Sequence, residues 1–355
     1  MNEFEKSTEF EFRKALDLSG KKLKHVSEIL KVEYQEENFL IEKLIPHPSI
    51  SMVSGFPGSG KTWFLLKMAK CLAGEAFFLN SDFQIKENCG VGIFEEENGE
   101  KELKKRLLKL GLTENTSLPI FISSFSGLKI DKKDELEFIL EETALKNLKV
   151  VFLDPFIAFH SQDENRAEDM AKVMSYLNEF VKEGISVITT HHHRKEAGWY
   201  KSPFSHLLRG STAIFGRIDC HLVIEKRKDL ENGFEFVVYQ EKLRNAPRIN
   251  PFKVVFKEEN EVIKLEYAGE YLTDEKVYLR LKNFIINNLE NKQGVKRKDL
   301  LEIIRAEGFS IGTFSRVIRD LKDEGLVEAV REGKEVIYRL KEKDSSGLFS
   351  LDLVY

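Results

Sequence analysis

The chain contains 355 residues, of which 42% are hydrophobic, and its formal net charge is −4. This length favours two or three domains, and the charge excludes a polybasic protein that binds nucleic acid over its whole surface. The three cysteines have no metal-ligand spacing, the N-terminus is charged from the start, and no apolar run has the length of a membrane span, so a cytoplasmic protein is expected.

Strand and helix patterns alternate over most of the chain. Residues 1–45 mix charges with short apolar groups and are expected to form an N-terminal lead-in or small cap. From 46 to 268 the alternation predicts an α/β domain with a mainly parallel sheet. Its apolar β-type runs are SISMV, VGIF, PIFIS, VVFLD and ISVITT. Three later runs predict an antiparallel extension of this sheet: CHLVIEK, FEFVVYQEKLR and FKVVFK.

The pattern changes near residue 271. Three amphipathic helix patterns are followed by two strand patterns around an EGK turn. This order is typical of a winged-helix domain, which we expect over residues 272–342. Residues 343–355 are polar and then apolar, and they are expected to form a tail that is disordered or docks on a neighbour.

A glycine-rich segment, SGFPGSGKTW, runs from Ser54 to Trp63 and fits the pattern G-x-x-x-x-G-K-[ST]. A strand pattern precedes it and a helix pattern follows it, which is the context of a phosphate-binding loop. There Lys61 reaches the β- and γ-phosphates and Thr62 ligates Mg²⁺. A glycine-rich turn that fits by chance is the alternative. The expected nucleotide-binding residues are Gly55, Pro57, Gly58, Ser59, Gly60, Lys61, Thr62 and Trp63.

Carboxylates end two of the predicted strands. Asp154 ends the run VVFLD, where it would hold Mg²⁺ through water; an aspartate that only caps a loop is the alternative. Glu95, Glu96 and Glu97 end another run, where one carboxylate would orient the attacking water. Strand alternation predicts that Glu95 and Glu97 share a face, and a solvated acidic turn remains the alternative.

Three histidines, His191 to His193, end a further strand. Because neighbouring strand residues alternate between faces, only His191 and His193 could converge on a metal, and no carboxylate or cysteine has ligand spacing nearby. A metal site is therefore the weaker interpretation. A polar side chain that senses the γ-phosphate is favoured, and a structural histidine pair remains open.

Taken in order, these motifs resemble those of the RecA-like ATPases. The specific likeness is to the plasmid and phage hexameric replicative helicases of the RepA type, to which the KaiC, DnaB and RadA types are related. It spans residues 35–260 and is carried by FEEENGEKELKKR, LDPFIAFHSQDEN, TTHHHRK, RGSTAIFGRID and EKLRN. It implies a RecA-like P-loop NTPase core that uses ATP with Mg²⁺ and assembles as a ring, with six subunits expected.

The resemblance also implies roles for single residues near the nucleotide. Glu97, which stands before Asn98, corresponds to the catalytic base. Arg106 corresponds to a helix arginine near the phosphates, and His192 or His193 corresponds to the γ-phosphate sensor.

A further implied role is that of a cationic finger. Lys242 and Arg244 resemble a Lys-x-Arg pair that related ATPases project across the subunit boundary, where a cation stabilises charge in the transition state. Some members instead have an arginine at the position of Asp219, so Arg217 is the alternative finger.

Two segments are candidates for DNA contact. The first follows the histidines and corresponds to a channel-facing loop in RecA-like rings; an ordinary charged loop is the alternative. Its expected single-stranded DNA contacts are Arg194, Lys195, Lys201 and Arg209 to phosphates, with Trp199, Tyr200 or Phe204 stacking on bases. The second segment is the third helix of the expected winged-helix domain, which contains Arg316, Arg319 and Lys322. Since 16 basic and 15 acidic residues follow residue 270, protein contact there is as well supported as DNA contact.

The sequence thus predicts an ATP-dependent, ring-forming DNA motor of a plasmid, virus or mobile element. The main alternative is a regulatory ATPase switch that controls winged-helix binding without unwinding, and a recombinase-type filament is a further one.

Overall fold

A long mixed β-sheet organises most of the chain. The computed structural model describes residues 23, 25–32, 38–193, 212–290, 292–333 and 335–341. Within these ranges the helices are α1 (Val26–Leu30), α2 (Lys61–Gly74), α3 (Gly99–Lys109), α4 (Lys133–Leu145), α5 (Ala167–Lys182), α6 (Thr212–Arg217), α7 (Asp274–Leu289), α8 (Arg297–Ala306) and α9 (Ile311–Asp323). The strands are β1 (Asn38–Ile41), β2 (Ile45–His47), β3 (Ile50–Gly55), β4 (Phe77–Phe78), β5 (Phe83–Gln84), β6 (Gly90–Glu95), β7 (Ile120–Ser124), β8 (Leu148–Asp154), β9 (Ser186–His192), β10 (Cys220–Leu230), β11 (Gly233–Leu243), β12 (Phe252–Glu259), β13 (Val262–Glu270), β14 (Val295–Lys296), β15 (Val327–Glu332) and β16 (Glu335–Leu340).

The main sheet of the described residues has nine strands in the order β13-β12-β11-β10-β3-β9-β8-β6-β7. From β10 to β7 every neighbouring pair is parallel, and β10 to β13 are antiparallel. The predicted parallel sheet and its antiparallel extension are therefore confirmed. Strand β13 and the small β1–β2 and β4–β5 pairs were not predicted.

The buried strands supply side chains alternately to two layers of the core. In β8, Val150 and Phe152 pack in the layer that contains α2 and Leu103 of α3. Val151 and Leu153 pack in the opposite layer, which contains α4, α5 and the 3₁₀ turn after β8. This period of two, with helices covering both faces, is what a parallel sheet requires.

The C-terminal residues have a hydrophobic cluster of their own. It is built from α7, α8, α9 and a three-stranded sheet in the order β14-β16-β15. Helices α7 and α9 begin at side-chain caps, because Thr273 accepts from the Lys276 N–H at 3.3 Å and Ser310 accepts from the Thr313 N–H at 3.1 Å. The predicted three helices and terminal hairpin are present, with the short strand β14 added between the first two helices. No helix in the described part of the chain is both long and apolar enough to span a membrane.

Candidate nucleotide-binding site

The candidate site lies at the carboxyl ends of the central parallel strands. Gly55 at the end of β3 pairs with His192 of β9, and Asp154 at the end of β8 pairs with Glu95 of β6. Ligands of open α/β sheets bind at this edge, where the strand ends and the following loops meet. The fold therefore brings the glycine-rich loop, the histidines and both carboxylate motifs to one edge.

The glycines of the loop between β3 and α2 are required by its backbone. Gly58 and Gly60 have φ angles of +74° and +94°, which side-chain-bearing residues rarely adopt. At Gly55 a Cβ would lie 2.5 Å from the carbonyl oxygen of Ile224 on β10. Pro57 and Ser59 complete the loop, and α2 starts directly after Gly60. The loop therefore presents its backbone N–H groups at a helix N-terminus, as anion binding requires.

Lys61 is folded onto this loop. Its Nζ donates to the carbonyl oxygens of Gly55 and Phe56, both at 3.0 Å, and the residue is only 6% exposed. Burial lowers the pKa of Lys61 to about 8, although the nearby charges of Asp154 and Glu97 oppose the shift. An anionic phosphate in the loop would add negative charge beside this amine and favour its protonated form.

Asp154 and Thr62 form the candidate Mg²⁺ ligands. Asp154 is 4% exposed, its carboxylate accepts a hydrogen bond from the hydroxyl of Thr190, and the hydroxyl of Thr62 lies near enough to interact with it. Burial raises the pKa of Asp154, and the charges of Glu97 and Glu95 add to the shift. A hydroxyl beside a carboxylate fits a hard cation that also binds phosphate oxygens and water. The described residues contain no cluster of three or more His, Cys, Asp or Glu side chains that would hold a metal by itself.

The first two of the three glutamates are engaged by the backbone. Glu95 is 1% exposed and accepts from the N–H groups of Glu97 at 3.0 Å, Asn98 at 2.6 Å and Gly99 at 3.0 Å. It thereby satisfies donors at the start of α3. Glu96 accepts from the N–H groups at 126 and 127, at 2.7 and 3.0 Å. Both carboxylates therefore hold loops in place.

Glu97 differs from its two neighbours. It is exposed, and its charge acts on both Lys61 and Asp154. The predicted shared strand face of Glu95 and Glu97 is wrong, because β6 ends at Glu95 and Glu97 lies in the turn before α3. Glu97 therefore reaches the site from this turn rather than from a strand.

Arg106 and Trp63 pack together beside this turn. Arg106 donates to Oδ1 of Asn98 at 2.9 Å, and its guanidinium lies 5.6 Å from the ring centroid of Trp63. Asn98 in turn donates through Nδ2 to Glu95 at 2.6 Å. The structure thus assigns Arg106 and Trp63 contacts that support the turn carrying Glu97, and their predicted nucleotide contacts stay predictions.

The three histidines have different surroundings. Nε2 of His193 lies 2.8 Å from Oγ of Ser54, and the ring packs edge-on against Phe56 of the loop. The backbone N–H of His193 donates to the Gly55 carbonyl at 3.2 Å. His191 is also buried, but its Nε2 lies 3.3 Å from Glu164. His191 and His193 therefore do not share a ligand position.

His192 is half-buried at the end of β9. Of the two predicted sensor histidines, His192 pairs with Gly55 in the sheet, whereas the ring of His193 also packs against Phe56 of the loop. Burial, with the charge of Lys61, lowers the pKa of His193 to about 4, so the ring is neutral near pH 7.

Lys242 and Arg244 lie away from the nucleotide site of their own chain. Lys242 pairs with His221, which lies beside Met52 in the middle of β3. Arg244 lies nearer the start of β3, because its N–H donates to the carbonyl of Asp219, whose own N–H donates to that of Ile50. Its Nζ donates to the Phe215 carbonyl at 2.6 Å. Arg244 donates to the carbonyl oxygen at 216 at 3.0 Å and pairs with Asp219 at 3.2 Å. Both cations therefore cap the C-terminal end of α6, and Arg217 in α6 is exposed.

The expected DNA contacts divide between the undescribed and the described parts of the chain. The channel-loop residues Arg194, Lys195, Trp199, Tyr200, Lys201, Phe204 and Arg209 lie outside the described residues. Arg316, Arg319 and Lys322 are exposed along one side of α9, opposite its buried face.

Sequence reasoning missed three polar residues of the site: Ser54, Thr190 and His221. Ser54 and Thr190 stand inside quoted motifs, but nothing in their spacing indicates a partner. Ser54 contacts His221 across 167 residues of sequence, and the single histidine carries no motif.

Comparison with known proteins places the chain in a family. The family model AAA_25, described as an AAA domain, matches residues 20–198. A solved DnaB-like replicative helicase has 18% sequence identity and a TM-score of 0.47 over 61% of this chain, and the chain spans 57% of that protein. None of the curated proteins matches. Because the AAA_25 match covers half of the chain and includes the phosphate-binding loop, the glutamates, Asp154 and the histidine strand, the chain belongs to the AAA_25 family, and its recognition as a RecA-like P-loop ATPase is confirmed.

Proposed function

We propose that this chain is an ATP-hydrolysing, ring-forming DNA motor of the replicative-helicase type, serving a plasmid, virus or mobile element. The observation that carries the ATPase assignment is the meeting of Lys61, the Thr62–Asp154 pair and Glu97 at one edge of the sheet. These are the groups that phosphoryl transfer to water uses: a cation on the phosphates, a Mg²⁺ site and a carboxylate for the water. The order of the motifs, which resembles the RepA branch, supports the motor and the hexameric ring.

Each residue then has a distinct task. Lys61 and the N–H groups of the loop bind and orient the phosphates, and Glu97 orients the attacking water and accepts its proton. Thr62 and Asp154, the latter through water, would hold Mg²⁺, which neutralises charge on the phosphate oxygens when bound. His193 is the favoured γ-phosphate sensor because it contacts the loop through its ring and its backbone N–H.

The finger proposal rests on the location of Lys242 and Arg244. Both side chains contact the end of α6 and not the phosphate-binding loop of their own chain, which supports a role at the site of another subunit. Arg244 is about half-exposed, with 47% of its side chain accessible, despite its contacts with α6. A cation donated in this way would make hydrolysis depend on assembly.

Mixing two inactive variants tests the finger. Arg244→Ala removes the cation but leaves the loop intact, whereas Lys61→Ala removes the loop cation but leaves the finger intact. We expect each variant alone to be inactive and the mixture to recover partial ATP turnover, because some interfaces then combine an intact loop with an intact finger. Arg248→Ala, which changes an exposed arginine five residues after Leu243, is the matched control. No recovery in a mixture with demonstrated subunit exchange would contradict a finger acting in trans.

DNA binding is proposed for two segments of this chain. The loop residues from Arg194 to Arg209 are proposed to contact single-stranded DNA in the channel of the ring. The C-terminal helices and hairpin are proposed to be a winged-helix domain, whose exposed row on α9 would contact duplex DNA or a protein.

ATP turnover measured with and without single-stranded DNA, combined with strand displacement, tests the motor against the regulatory switch. A motor should be stimulated by DNA and separate a forked duplex.

Neutralising Arg194, Lys195 and Lys201 together should flatten the log–log salt dependence of binding by about two units, as expected for three lost phosphate contacts. The matched variant neutralises Arg316, Arg319 and Lys322. If only this second variant loses DNA binding and no strand separation occurs, the regulatory-switch function replaces the motor.

A further inference from the structure

A buried serine hydroxyl lies between two buried histidines in the centre of the sheet. Oγ of Ser54, the residue before Gly55, lies 2.8 Å from Nε2 of His193 and 2.7 Å from Nε2 of His221. Strand β3 stands between β9 and β10, so the two rings reach the hydroxyl from opposite sides. All three residues are buried. The contacts therefore form one chain across three strands, His193–Ser54–His221, which we call the histidine relay.

The protons on the two rings and the serine hydroxyl can be arranged in two ways. Burial, aided by neighbouring positive charge, lowers the pKa of His193 to about 4 and that of His221 to about 3, so both rings are neutral. The hydroxyl of Ser54 has one proton, so it donates to one Nε2 and accepts from the other. In one arrangement His193 accepts at Nε2 and carries its proton on Nδ1. In the other, His193 donates from Nε2 and His221 is the acceptor.

The two ends of the relay touch the two parts of the proposed machinery. At one end, His193 packs on Phe56 of the phosphate-binding loop, and the charge of Lys61 acts on it. At the other end, the ring of His221 packs edge-on against Phe215, with 5.8 Å between the ring centroids. Nζ of Lys242 lies 5.1 Å from the centroid of the Phe215 ring. The relay therefore spans from the nucleotide loop to the base of the proposed finger.

We propose that Ser54 and His221 are positioning residues for His193, which hold its ring in one orientation and one tautomer beside the phosphate-binding loop. The inference rests on the proposed function, because it concerns His193 as the γ-phosphate sensor. Since the Ser54 hydroxyl has one proton to donate, one neutral ring must carry its proton on Nε2 and the other on Nδ1. The hydrogen bond at Nε2 thereby sets the protonation of Nδ1 of His193.

The ¹⁵N spectrum of full-length protein with labelled histidine tests the relay. Protonated and bare ring nitrogens resonate in separate regions, and the His193→Asn and His221→Phe variants assign the two rings. We expect one ring to carry its proton on Nε2 and the other on Nδ1, and we expect Ser54→Ala to remove this complementarity. The same tautomer in both rings of the wild-type protein would overturn the relay while leaving the ATPase proposal standing. A wild-type protein that does not bind a non-hydrolysable ATP analogue with Mg²⁺ would instead remove the proposed function.

Turnover kinetics provide the second test. Ser54→Ala is expected to lower kcat by about tenfold, less than the hundredfold or more that follows loss of a direct transition-state donor, with nucleotide affinity unchanged. Ser54→Thr keeps the hydroxyl and should retain most of the activity. In a His193→Ala background neither Ser54→Ala nor His221→Phe should lower kcat further, because both act through His193. If Ser54→Ala or His221→Phe lowers kcat in that background by the same factor as in the wild type, and the variants melt like the native protein, the role is purely structural and the proposal is overturned.

Discussion

Replacing Glu97 by glutamine is expected to slow ATP hydrolysis by about a hundredfold or more, the usual loss when a positioned general base is removed. Nucleotide binding should persist, because Glu97 is exposed and the phosphate-binding contacts come from the loop and Lys61. Glutamine keeps the size and hydrogen-bonding reach of the side chain but cannot accept the proton of the water. Single-turnover hydrolysis and equilibrium binding of a fluorescent ATP analogue separate the two effects.

Two other glutamates serve as controls for this prediction. Glu100→Gln changes an exposed carboxylate in the first turn of α3 and should leave turnover unchanged. Glu95→Gln should lower the thermal stability, because its carboxylate accepts from several backbone N–H groups at the start of α3. A folded Glu95→Gln variant without activity, together with an active Glu97→Gln variant, would assign the base to Glu95.

The parts of the fold that could be predicted are those with strong local periodicity. All six residues of β3 are buried and β8 contains the continuous apolar run VVFL, because both faces of a parallel sheet are covered. The β4–β5 pair has two residues in each strand, too few for alternation to be visible. Strand β13 has a period of two, with Ile263 and Leu265 buried and the residue between them exposed, so this strand could have been predicted although it was missed.

The site was predictable where a motif fixes a residue's role and unpredictable where only tertiary contact does. The loop glycines could be predicted because positive φ and close backbone approach leave few other residues possible. The face shared by Glu95 and Glu97 was predicted wrongly because the end of β6 depends on the N–H groups that the Glu95 carboxylate binds. The partners of His193 could not be read from sequence, since Ser54 lies 139 residues away.

Lys61→Ala is expected to abolish ATP turnover. Lys61 is the buried ammonium of the loop, and removing one partner of a buried charge contact costs about 2–5 kcal/mol. Nucleotide affinity should therefore fall by at least an order of magnitude, and the charge that stabilises the transition state is also lost. Lys70→Ala removes a half-buried cation of the same helix, which pairs with Glu75 away from the loop, and should leave turnover unchanged. Wild-type hydrolysis by Lys61→Ala would remove the nucleotide assignment of the loop.

The pKa of Lys61 allows a second test of its contact with the nucleotide phosphates. With a pKa of about 8 in the free protein, Lys61 is protonated below that pH and loses its charge as the pH rises through it. Bound phosphates favour the charged form, so the pKa of Lys61 rises in the complex, and binding above pH 8 should take up a proton. Wild-type affinity should then weaken as the pH rises past this value, whereas the residual affinity of Lys61→Ala should not follow that trend. Calorimetry of Mg²⁺–ATP analogue binding in buffers of different ionisation enthalpy measures the proton directly. Equal proton uptake by both proteins would show that another group titrates and that Lys61 does not meet the phosphates.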